Sequence, residues 1–379
     1  MFNPPNEWAD QLVDNFTEKQ WIVLAPVFGT SGVHRTLHHL CPLPFLKMTS
    51  TDVHSSHSAV YKAEVHPSHQ NGFKIESPSL QVALKEFLNF EDFKQERDNL
   101  IKIRKIAKNR HITQSFESFS QGGRGYIVFP WAQGGDLDNF WQSQNQTPRT
   151  PQLALWCLKQ MLGLSEALYS LHEEIGKEAN CRHGDLKPGN ILHFHTGGAR
   201  GVLKISDFGI SRIHNKATFK RTENDTKTRA TSPSYEAPEA AGPKKARSRK
   251  YDIWSLGCIF LEFAIWLVQD WSAVKDFDNA RKPNVTSNDG ADSTHFYEVL
   301  DRSNNKFIVH PEVLRRIKHL SKMTQSSHGT ALGDLLNIIK NNLVRIEVDD
   351  RIDAKGLCER LEEIVKKAKS SSVYLFNSQ

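Results

Sequence analysis

The first third of the chain alternates apolar and polar residues over short stretches, which is the pattern of half-buried β-strands. The clearest examples are AVYKAEV (59–65) and QVALKEF (81–87), with a polar loop between them. The spacing becomes helical between 91 and 107, and YIVFPWA (126–132) then predicts a further strand that GGD ends. The pattern therefore predicts a β-rich region with one helix. That helix has four apolar residues on one face: Phe93, Leu100, Ile103 and Ile106.

The remainder of the chain is mainly helical. LALWCLKQMLGLSEALYSLH (153–172) predicts a buried helix, and helical spacing returns at 311–366. We therefore expect a β-rich part followed by a helical part, with the boundary near 130–135. Within the second part the pattern predicts a hairpin from NILHF (190–194) and VLKISDF (202–208), and irregular polar segments at 211–234 and 270–310.

The stretch before the first strand has two apolar patterns. Residues 6–20 have one apolar helical face, and QWIVLAPVF (20–28) predicts an extended segment. No signal peptide is visible in the first twenty residues. The apolar helical face consists of Trp8, Leu12, Val13 and Phe16.

Composition narrows the class of protein. The 379 residues suffice for two or three packed units, and the net charge of +6 is compatible with an acidic ligand such as a nucleotide. The five cysteines form no CxxC pair, which argues against a disulfide framework or a zinc site and favours an intracellular location, cytoplasmic or nuclear. The apolar stretch 258–268 is too short to span a bilayer and contains Glu262, so we expect a buried core helix and no membrane association. The basic run PKKARSRK (243–250) fits a solvated loop, although it could also attract acidic peptides or serve as a nuclear-import patch. Without a recognition motif we expect no nucleic-acid partner.

HGDLKPGN (183–190) combines an acid, a cation and an amide. Transfer of a phosphoryl group requires the phosphates to be held, metal ions to offset charge and the nucleophile to be oriented. Asp185 is suited to orienting a hydroxyl, Lys187 to neutralising the phosphoryl group, and Asn190 to binding Mg²⁺. The motif therefore indicates phosphoryl transfer from a nucleotide.

Three residues outside this motif complete the set. Lys85 ends the strand VALK and could hold the α and β phosphates, Glu96 on the following helix could hold Lys85, and Asp207 of DFG could bind Mg²⁺. Each residue taken alone has a plainer explanation. Lys85 could be a solvated charge at a strand edge, and DFG could be an ordinary turn. Glu96 could be a surface residue of the helix, where Glu91 and Asp92 are alternative partners for Lys85. Their order along the chain favours the functional interpretation.

From about residue 45 to about residue 365 the chain resembles a eukaryotic protein kinase of the Ser/Thr type. Asp252 and Trp254 match the family's core-helix anchors, and Arg351 matches the arginine that pairs with the glutamate of APE, here Glu239. RHGDLKPGNIL with the segment QWIVLAP looks, more narrowly, like divergent fungal kinase-like proteins. The motifs that carry the resemblance are VALK (82–85), HGDLKPGN (183–190), DFG (207–209), APE (237–239) and YDIWSLG (251–257).

The resemblance implies an α+β, two-lobed protein-kinase fold that uses ATP and two Mg²⁺ ions and acts on a protein substrate. It divides the chain into an N-terminal extension packed on the kinase domain (1–44), an N-lobe (45–132), a C-lobe (133–366) and a tail (367–379). The oligomeric state is not specified by any pattern.

The resemblance also implies a nucleotide pocket. Val60, Ala83 and Leu192 would sandwich adenine, although plain core packing would equally explain these apolar residues. Phe129 falls at the gatekeeper position. The remaining implied contacts are the backbones of Pro130 and Ala132 with adenine and the side chain of Asp136 with the ribose.

Small-molecule phosphotransferases, such as those for aminoglycosides and choline, have a motif similar to HGD followed by PGN. Lys187 is the cation typical of Ser/Thr protein kinases, and the long Ser/Thr-rich segment before SYEAPE is where protein kinases dock peptides. Ser232 takes the place of the threonine that bridges to the catalytic aspartate in that family. These features favour a protein substrate.

Two departures from the family pattern bear on activity. TDVHSSHSAV (51–60) contains no glycine where the phosphate loop is expected, with Val53, Ser55 and Ser58 at the three positions. A pseudokinase that acts as a nucleotide-binding or scaffold module is therefore the alternative to an active kinase. Gly184 stands where many kinases have an arginine that meets an activation-loop phosphate. We therefore expect that phosphorylation is not a simple on-switch acting through this position, even if it occurs at Thr218, Thr222, Thr226, Thr228 or Thr231.

Overall fold

A computed structural model describes residues 8–54, 58–73, 79–106, 109–173, 179–209, 212–215, 233–241, 248–282, 294–301, 304, 306–323 and 329–375. Contacts divide the chain into two compact units. Unit 1 comprises residues 1–105 and 113–131, and unit 2 comprises residues 106–112 and 132–379. The predicted segment bounds at 44 and 366 stay predictions. Ser55, the five activation-segment threonines, Ser232 and residues 243–247 of the basic run lie outside the described residues.

Unit 1 is built on a six-stranded sheet with a helix, α2 (Phe90–Ile106), after its fourth strand. The strands are β1 (His34–Thr36), β2 (Phe45–His54), β3 (Ser58–Val65), β4 (Leu80–Phe87), β5 (Glu117–Gln121) and β6 (Arg124–Pro130). Their spatial order is β1-β5-β6-β4-β3-β2, and only the β1–β5 pair is parallel. The strands and helix predicted from the hydrophobic pattern are therefore present.

The two faces of this sheet serve different purposes, because side chains alternate along each strand. One face carries the apolar core, to which Val82 and Leu84 contribute. The other face carries Lys85 and packs against α2. Gly125 of β6 leaves the space that the ring of Phe93 fills, since a Cβ at Gly125 would lie 2.1 Å from Phe93 Cγ. The absence of a side chain at Gly125 thus allows α2 to lie close to the sheet.

The N-terminal residues contribute unequally to unit 1. Phe28 is buried in its core, and β1 lengthens the sheet beyond β5. In contrast, the helix α1 (Asp10–Lys19) has no buried residue, and the side chains of Trp8, Leu12 and Phe16 are exposed. The extended segment predicted from residue 20 is wrong at Gln20–Ile22, where a 3-10 turn continues α1.

Unit 2 is mainly helical and contains three two-stranded pairs among its described residues. The pairs are β7 (Ala179–Arg182) with β10 (Arg212–Asn215), β8 (Ile191–Phe194) with β9 (Val202–Ile205), and β11 (Tyr297–Asp301) with β12 (Lys306–Val309). The hairpin predicted from NILHF and VLKISDF is therefore confirmed. The helices are α3 (Leu137–Ser143), α4 (Pro151–Glu173), α5 (Lys250–Val268), α6 (Trp271–Ala280), α7 (Pro311–Met323), α8 (Ala331–Ile338), α9 (Ala354–Ser370) and α10 (Ser372–Leu375), with a π-helical turn at Ile339–Leu343.

Helix α5 forms the centre of unit 2. Every residue from Tyr251 to Trp266 is buried. In the described part of the chain α5 alone is long and apolar enough to cross a bilayer, but 89% of that window is buried within the protein. The predicted buried core helix is confirmed.

The predicted irregular segments contain regular structure: β10 lies within 211–234, and α6, β11 and β12 lie within 270–310. The prediction is wrong for these elements. Asp270 begins α6 as its N-cap, with its side chain accepting a hydrogen bond from the Ala273 amide at 2.8 Å. Only Ala273, Val274 and Phe277 of α6 are buried. Because three buried positions suffice for this short surface helix, its polar composition concealed it.

Candidate active site

In unit 1 Lys85, which was predicted to hold nucleotide phosphates, forms an ion pair with Glu96, which was predicted to hold Lys85. Lys85 Nζ lies 2.9 Å from Glu96 Oε1 and 2.8 Å from Glu96 Oε2. Glu96 is 2% exposed, so its carboxylate is stabilised in the interior by this cation. Glu91 and Asp92, the rival acids, begin α2 near Asn89, one turn before Glu96. The pair therefore selects Glu96 as the partner of Lys85.

The residues predicted around adenine in unit 1 share the face of Lys85. Val60 pairs with Lys85 across β3 and β4, and Ala83 pairs with Phe129 across β4 and β6. Directly opposed residues of neighbouring strands point to the same side of a sheet. Val60, Ala83 and Phe129 are each partly exposed, which fits a ligand-facing surface better than the closed core on the other face.

In unit 2 the three predicted catalytic residues meet around one carboxylate. Asn190 Nδ2 donates to Asp185 Oδ2 at 3.1 Å and to the Asp185 carbonyl oxygen at 2.7 Å. Lys187 Nζ lies 3.0 Å from the same Asp185 Oδ2. These contacts fix the direction of the Asp185 side chain, which is 9% exposed.

The donor set fits Mg²⁺ by its chemistry. Because Asn190 uses Nδ2 as a donor toward Asp185, its Oδ1 is the atom that can bind a cation. Asp207 is exposed and has φ of 62°, a left-handed conformation that aspartate tolerates better than most residues. Among the described residues no group of three or more His, Cys, Asp or Glu could hold a metal. An ion held by Asn190 and Asp207 therefore needs further oxygens from phosphates or water, as is usual for Mg²⁺.

The loop that carries Asp185 is anchored to α5 by Asp252, which is 0% exposed. Asp252 accepts hydrogen bonds from the backbone amides of His183 and Gly184, both at 2.9 Å, and from His172 Nε2 at 2.9 Å. Burial alone would raise the pKa of Asp252. The hydrogen bond and charge of His172, with the charge of Arg182, hold that pKa below its usual range instead. The anchor is therefore ionised at neutral pH.

His183 links this loop to the strand that leads to Asp207. Its Nε2 donates to the Ser206 carbonyl oxygen at 2.9 Å, which leaves Nδ1 to accept from the Asp185 amide at 3.3 Å. Ser206 in turn donates from its amide to the Asn190 carbonyl oxygen at 2.9 Å. The buried ring of His183 thus connects Asp185 with the strand that leads to the predicted metal ligand Asp207.

The remaining nucleotide residues of unit 2 lie near one another. Asp136 and Leu192 form an isolated β-bridge, and Leu192 packs against a small apolar cluster that contains Ala132. Asp136 is the N-cap of α3, where its Oδ1 accepts from the Asn139 amide at 2.8 Å. Helix capping accounts for this oxygen, and the ribose contact stays a prediction.

The pair expected between Glu239 and Arg351 is present, with Arg351 buried and Glu239 partly exposed. Arg351 Nη1 donates to Glu239 Oε1 at 2.8 Å and Nη2 donates to Oε2 at 2.7 Å. The Arg351 guanidinium lies 5.1 Å from the ring of Trp254 in α5. This two-pronged contact ties APE to the core of unit 2.

Comparison with known proteins agrees with this geometry. The protein kinase domain family matches residues 74–325, about two thirds of the chain. The chain belongs to the protein kinase family. The predicted family and the predicted two-lobed α+β fold class are therefore confirmed. The family generally uses ATP and Mg²⁺ and acts on protein substrates.

Similar curated proteins are themselves protein kinases. The mitosis inhibitor protein kinase wee1 of Schizosaccharomyces pombe is 27% identical over 233 residues, 58% of this chain and 24% of wee1. The serine/threonine-protein kinase cds1 of the same organism is 34% identical over 166 residues, 41% of this chain and 31% of cds1. The serine/threonine-protein kinase STE20 of Yarrowia lipolytica is 30% identical over 185 residues, 48% of this chain and 15% of STE20. The chain thus matches less than a third of the length of these three relatives.

Sequence reasoning missed two contributors. His172 ends the apolar face of α4, and nothing in that pattern marks it as a partner of Asp252. Glu117 is a lone acid in a strand, yet it is 2% exposed and binds the N-terminal residues Gly29 and Arg35. The available signal for Glu117 was an acid close to two aromatic residues, Phe116 and Phe119.

Proposed function

We propose that this protein transfers the γ-phosphoryl group of ATP to serine or threonine hydroxyls of protein substrates. The observation that carries the proposal is the arrangement around Asp185, whose Oδ2 receives Asn190 Nδ2 at 3.1 Å and lies 3.0 Å from Lys187 Nζ. A carboxylate held beside a cation and an amide is suited to orienting a hydroxyl for in-line attack. Membership in the kinase family supports the same reaction.

Each residue has a role in this proposal. Asp185 accepts the hydroxyl proton while the hydroxyl oxygen bonds to the γ-phosphorus and the bond to the β,γ-bridging oxygen breaks, which releases ADP. Lys187 offsets the charge on the transferring group, and Lys85, held by Glu96, binds the α and β phosphates. Asn190 Oδ1 and the Asp207 carboxylate would hold Mg²⁺, which supplies charge neutralisation at the phosphates.

The test uses the full chain with Mg·ATP and counts phosphorylated sites by mass spectrometry. Asp185→Asn is expected to lower the rate by about 10²–10⁴-fold, the range for loss of a proton-accepting group. Lys85→Met is expected to weaken both the rate and the thermal stabilisation by Mg·ATP. The matched controls are Asp276→Asn and Lys47→Met, which remove exposed groups of the same type on α6 and β2. Equal phosphorylation in the parent and Asp185→Asn proteins would contradict the proposal.

The second candidate function is a nucleotide-binding scaffold without phosphoryl transfer. It is favoured by TDVHSSHSAV, where glycine is absent from all ten positions and the backbone is less able to approach phosphates. This alternative predicts thermal stabilisation by Mg·ATP that Lys85→Met removes, with phosphorylation no higher than in Asp185→Asn. Phosphorylation above that control would exclude it.

A further inference from the structure

Residues 28–37, which we call the N-terminal strap, run beside β5 and contact both faces of the unit 1 sheet. Phe28 lies in the core on one face, and its ring is 5.8 Å from that of Phe119. On the other face the ring of His34 is 5.6 Å from that of Phe93 in α2. The alternation of strand side chains explains how a single segment reaches both faces.

The strap is held by the buried carboxylate of Glu117. Its Oε1 accepts from the Gly29 amide at 3.0 Å and from Ser31 Oγ at 3.3 Å, and its Oε2 accepts from Arg35 Nε at 3.0 Å. A buried carboxylate that lost these partners would be strongly unfavourable. Glu117 therefore keeps the strap in a single position along β5.

The strap also grips the far end of α2. Arg104, in the last turn of α2, donates from Nη1 to the Thr30 carbonyl oxygen at 2.7 Å and from Nη2 to the Ser115 carbonyl oxygen. Gly32 packs directly on this guanidinium, because a Cβ there would lie 2.7 Å from Arg104 Nε. The cavity in this seam, lined by Gly32, Leu100, Arg104 and Ile127 among others, has a volume of about 10 Å³. That is the space of a single water, so the seam is closely packed.

These contacts bracket Glu96. Phe93 meets the strap one turn before Glu96, and Arg104 meets it two turns after. A helix held at both ends against a sheet moves as one body, so the strap sets where Glu96 lies relative to Lys85. The 2.8 Å pair between these two groups needs that position to be kept.

We propose that the N-terminal strap is an intramolecular clamp that fixes α2 and thereby keeps the Lys85–Glu96 pair assembled, with Gly32 and Arg104 as positioning residues. The functional consequence rests on the proposed function, in which Lys85 binds the phosphates of ATP.

The first test measures amide hydrogen exchange along α2 in the full chain. Gly32→Ala places a methyl group against the Arg104 guanidinium, and Arg104→Gln removes the contact with Thr30. Both are expected to speed exchange in α2 by about 10-fold, the equivalent of about 1.4 kcal/mol. Gly122→Ala is the control for Gly32→Ala. Gly122 has a similar positive φ, +56° compared with +74° for Gly32, but a Cβ at Gly122 would have no atom within 4 Å. Lys102→Gln is the control for the cation, since Lys102 is exposed on the same helix.

The second test asks whether the strap acts through Glu96. Affinity for Mg·ATP is measured for Arg104→Gln, Glu96→Gln and the double variant. A clamp predicts that Arg104→Gln weakens binding by about 3–10-fold in the parent and has no further effect when Glu96 is already changed. Equal losses in both backgrounds, or α2 exchange no faster than in the controls, would overturn the proposal. If the parent binds no Mg·ATP, the proposed function fails and the exchange measurement alone decides on the clamp.

Discussion

The two groups of predicted site residues are held in place by different means. In unit 2 the loop with Asp185 is anchored by a single carboxylate, that of Asp252. This carboxylate is fully buried and accepts hydrogen bonds from two backbone amides and one histidine. In unit 1 the pair of Lys85 with Glu96 depends on where α2 lies, and α2 is fixed by ring packing at Phe93 and by the side chain of Arg104.

This difference separates a fixed element from an adjustable one. Moving the loop at 183–184 would leave two backbone amides and the ionised carboxylate of Asp252 buried without hydrogen-bond partners. Such unpaired buried groups are energetically costly. Moving α2 as one body leaves its backbone hydrogen bonds intact. It requires side chains to repack, Arg104 to exchange its two carbonyl partners for water and Glu96 to separate from Lys85. We therefore expect unit 2 to supply constant geometry and unit 1 to be the place where activity is adjusted.

The largest effect is expected from Asp252→Asn. An amide at this position has one acceptor oxygen and presents its own N–H groups to the donors of His183, Gly184 and His172. We expect a loss of about 3 kcal/mol in the free energy of unfolding, as for other broken buried charge networks. Urea unfolding measures it, with Asp276→Asn as the exposed control on α6. A loss no greater than that of the control variant would show that Asp252 is not a fixed anchor of unit 2.

A somewhat smaller effect is expected from Gly125→Ala, which tests the packing of α2. The new Cβ would lie 2.1 Å from Phe93 Cγ, so the ring and the helix must shift. We expect about 2 kcal/mol of destabilisation, in the range for overpacked cores, together with weaker binding of Mg·ATP. Gly123→Ala is the control for backbone strain without a clash, because Gly123 is in the same hairpin and has φ of +80° but nothing within 4 Å. Unchanged nucleotide binding in Gly125→Ala would show that α2 is not the adjustable element.

Acid is expected to weaken unit 2 through His111. Its ring is buried and donates to the Leu203 carbonyl oxygen at 2.7 Å, and burial lowers the pKa of His111 to about 4 from 6.5. Between these two values the unfolded chain binds a proton that the folded chain does not, so stability falls as pH drops from 6.5 toward 4. We expect a loss of about 2 kcal/mol over this window.

Unfolding at several pH values checks this prediction. His111→Gln is expected to lose part of the parent stability at neutral pH but to show a flatter profile between pH 6.5 and 4. His39→Gln, which removes an exposed histidine, is the matched control. A parent profile that is flat over this window would contradict the assignment to His111.

The smallest effect is expected from Gly184→Ala. Gly184 has φ of 84°, where a Cβ is strained by about 1 kcal/mol, and its amide is one of the donors to Asp252. Gly189→Ala in the same loop is the control, since Gly189 is not among the positive-φ glycines and a methyl group there would lie 3.9 Å and 4.0 Å from its nearest neighbouring atoms. Thermal unfolding should separate the two variants. Equal stability would mean that backbone geometry does not select glycine at 184.

Much of the fold could be predicted from periodicity, because the signal is strong where an element is long or deeply buried. The strands at 59–65 and 81–87, the helix α4 and the buried helix α5 are examples. Helix α6 and the hairpin β11–β12 could not, since few of their residues are buried and their pattern is dominated by exposed polar positions.

The motifs allowed the candidate site to be predicted residue by residue, but not its supports. Asp185, Lys187 and Asn190 are close in sequence, so their meeting follows from one loop. His172 lies 80 residues from Asp252, and Arg104 lies 74 residues from Thr30, and neither contact has a local pattern. Such contacts are decided by which element packs where.

The sequence by itself determined the family and the order of the β-rich and helical parts, and it predicted which charged groups would take part in phosphoryl transfer. These features depend on the local spacing and the chemistry of residues, which do not change with the way the chain folds. Only the tertiary structure decided that Glu96 and not Glu91 pairs with Lys85, that Asp252 anchors the loop of Asp185, and that residues 28–37 contact α2. Each of these results from long-range burial, where a charged or polar group takes the partner that the packed interior leaves within reach.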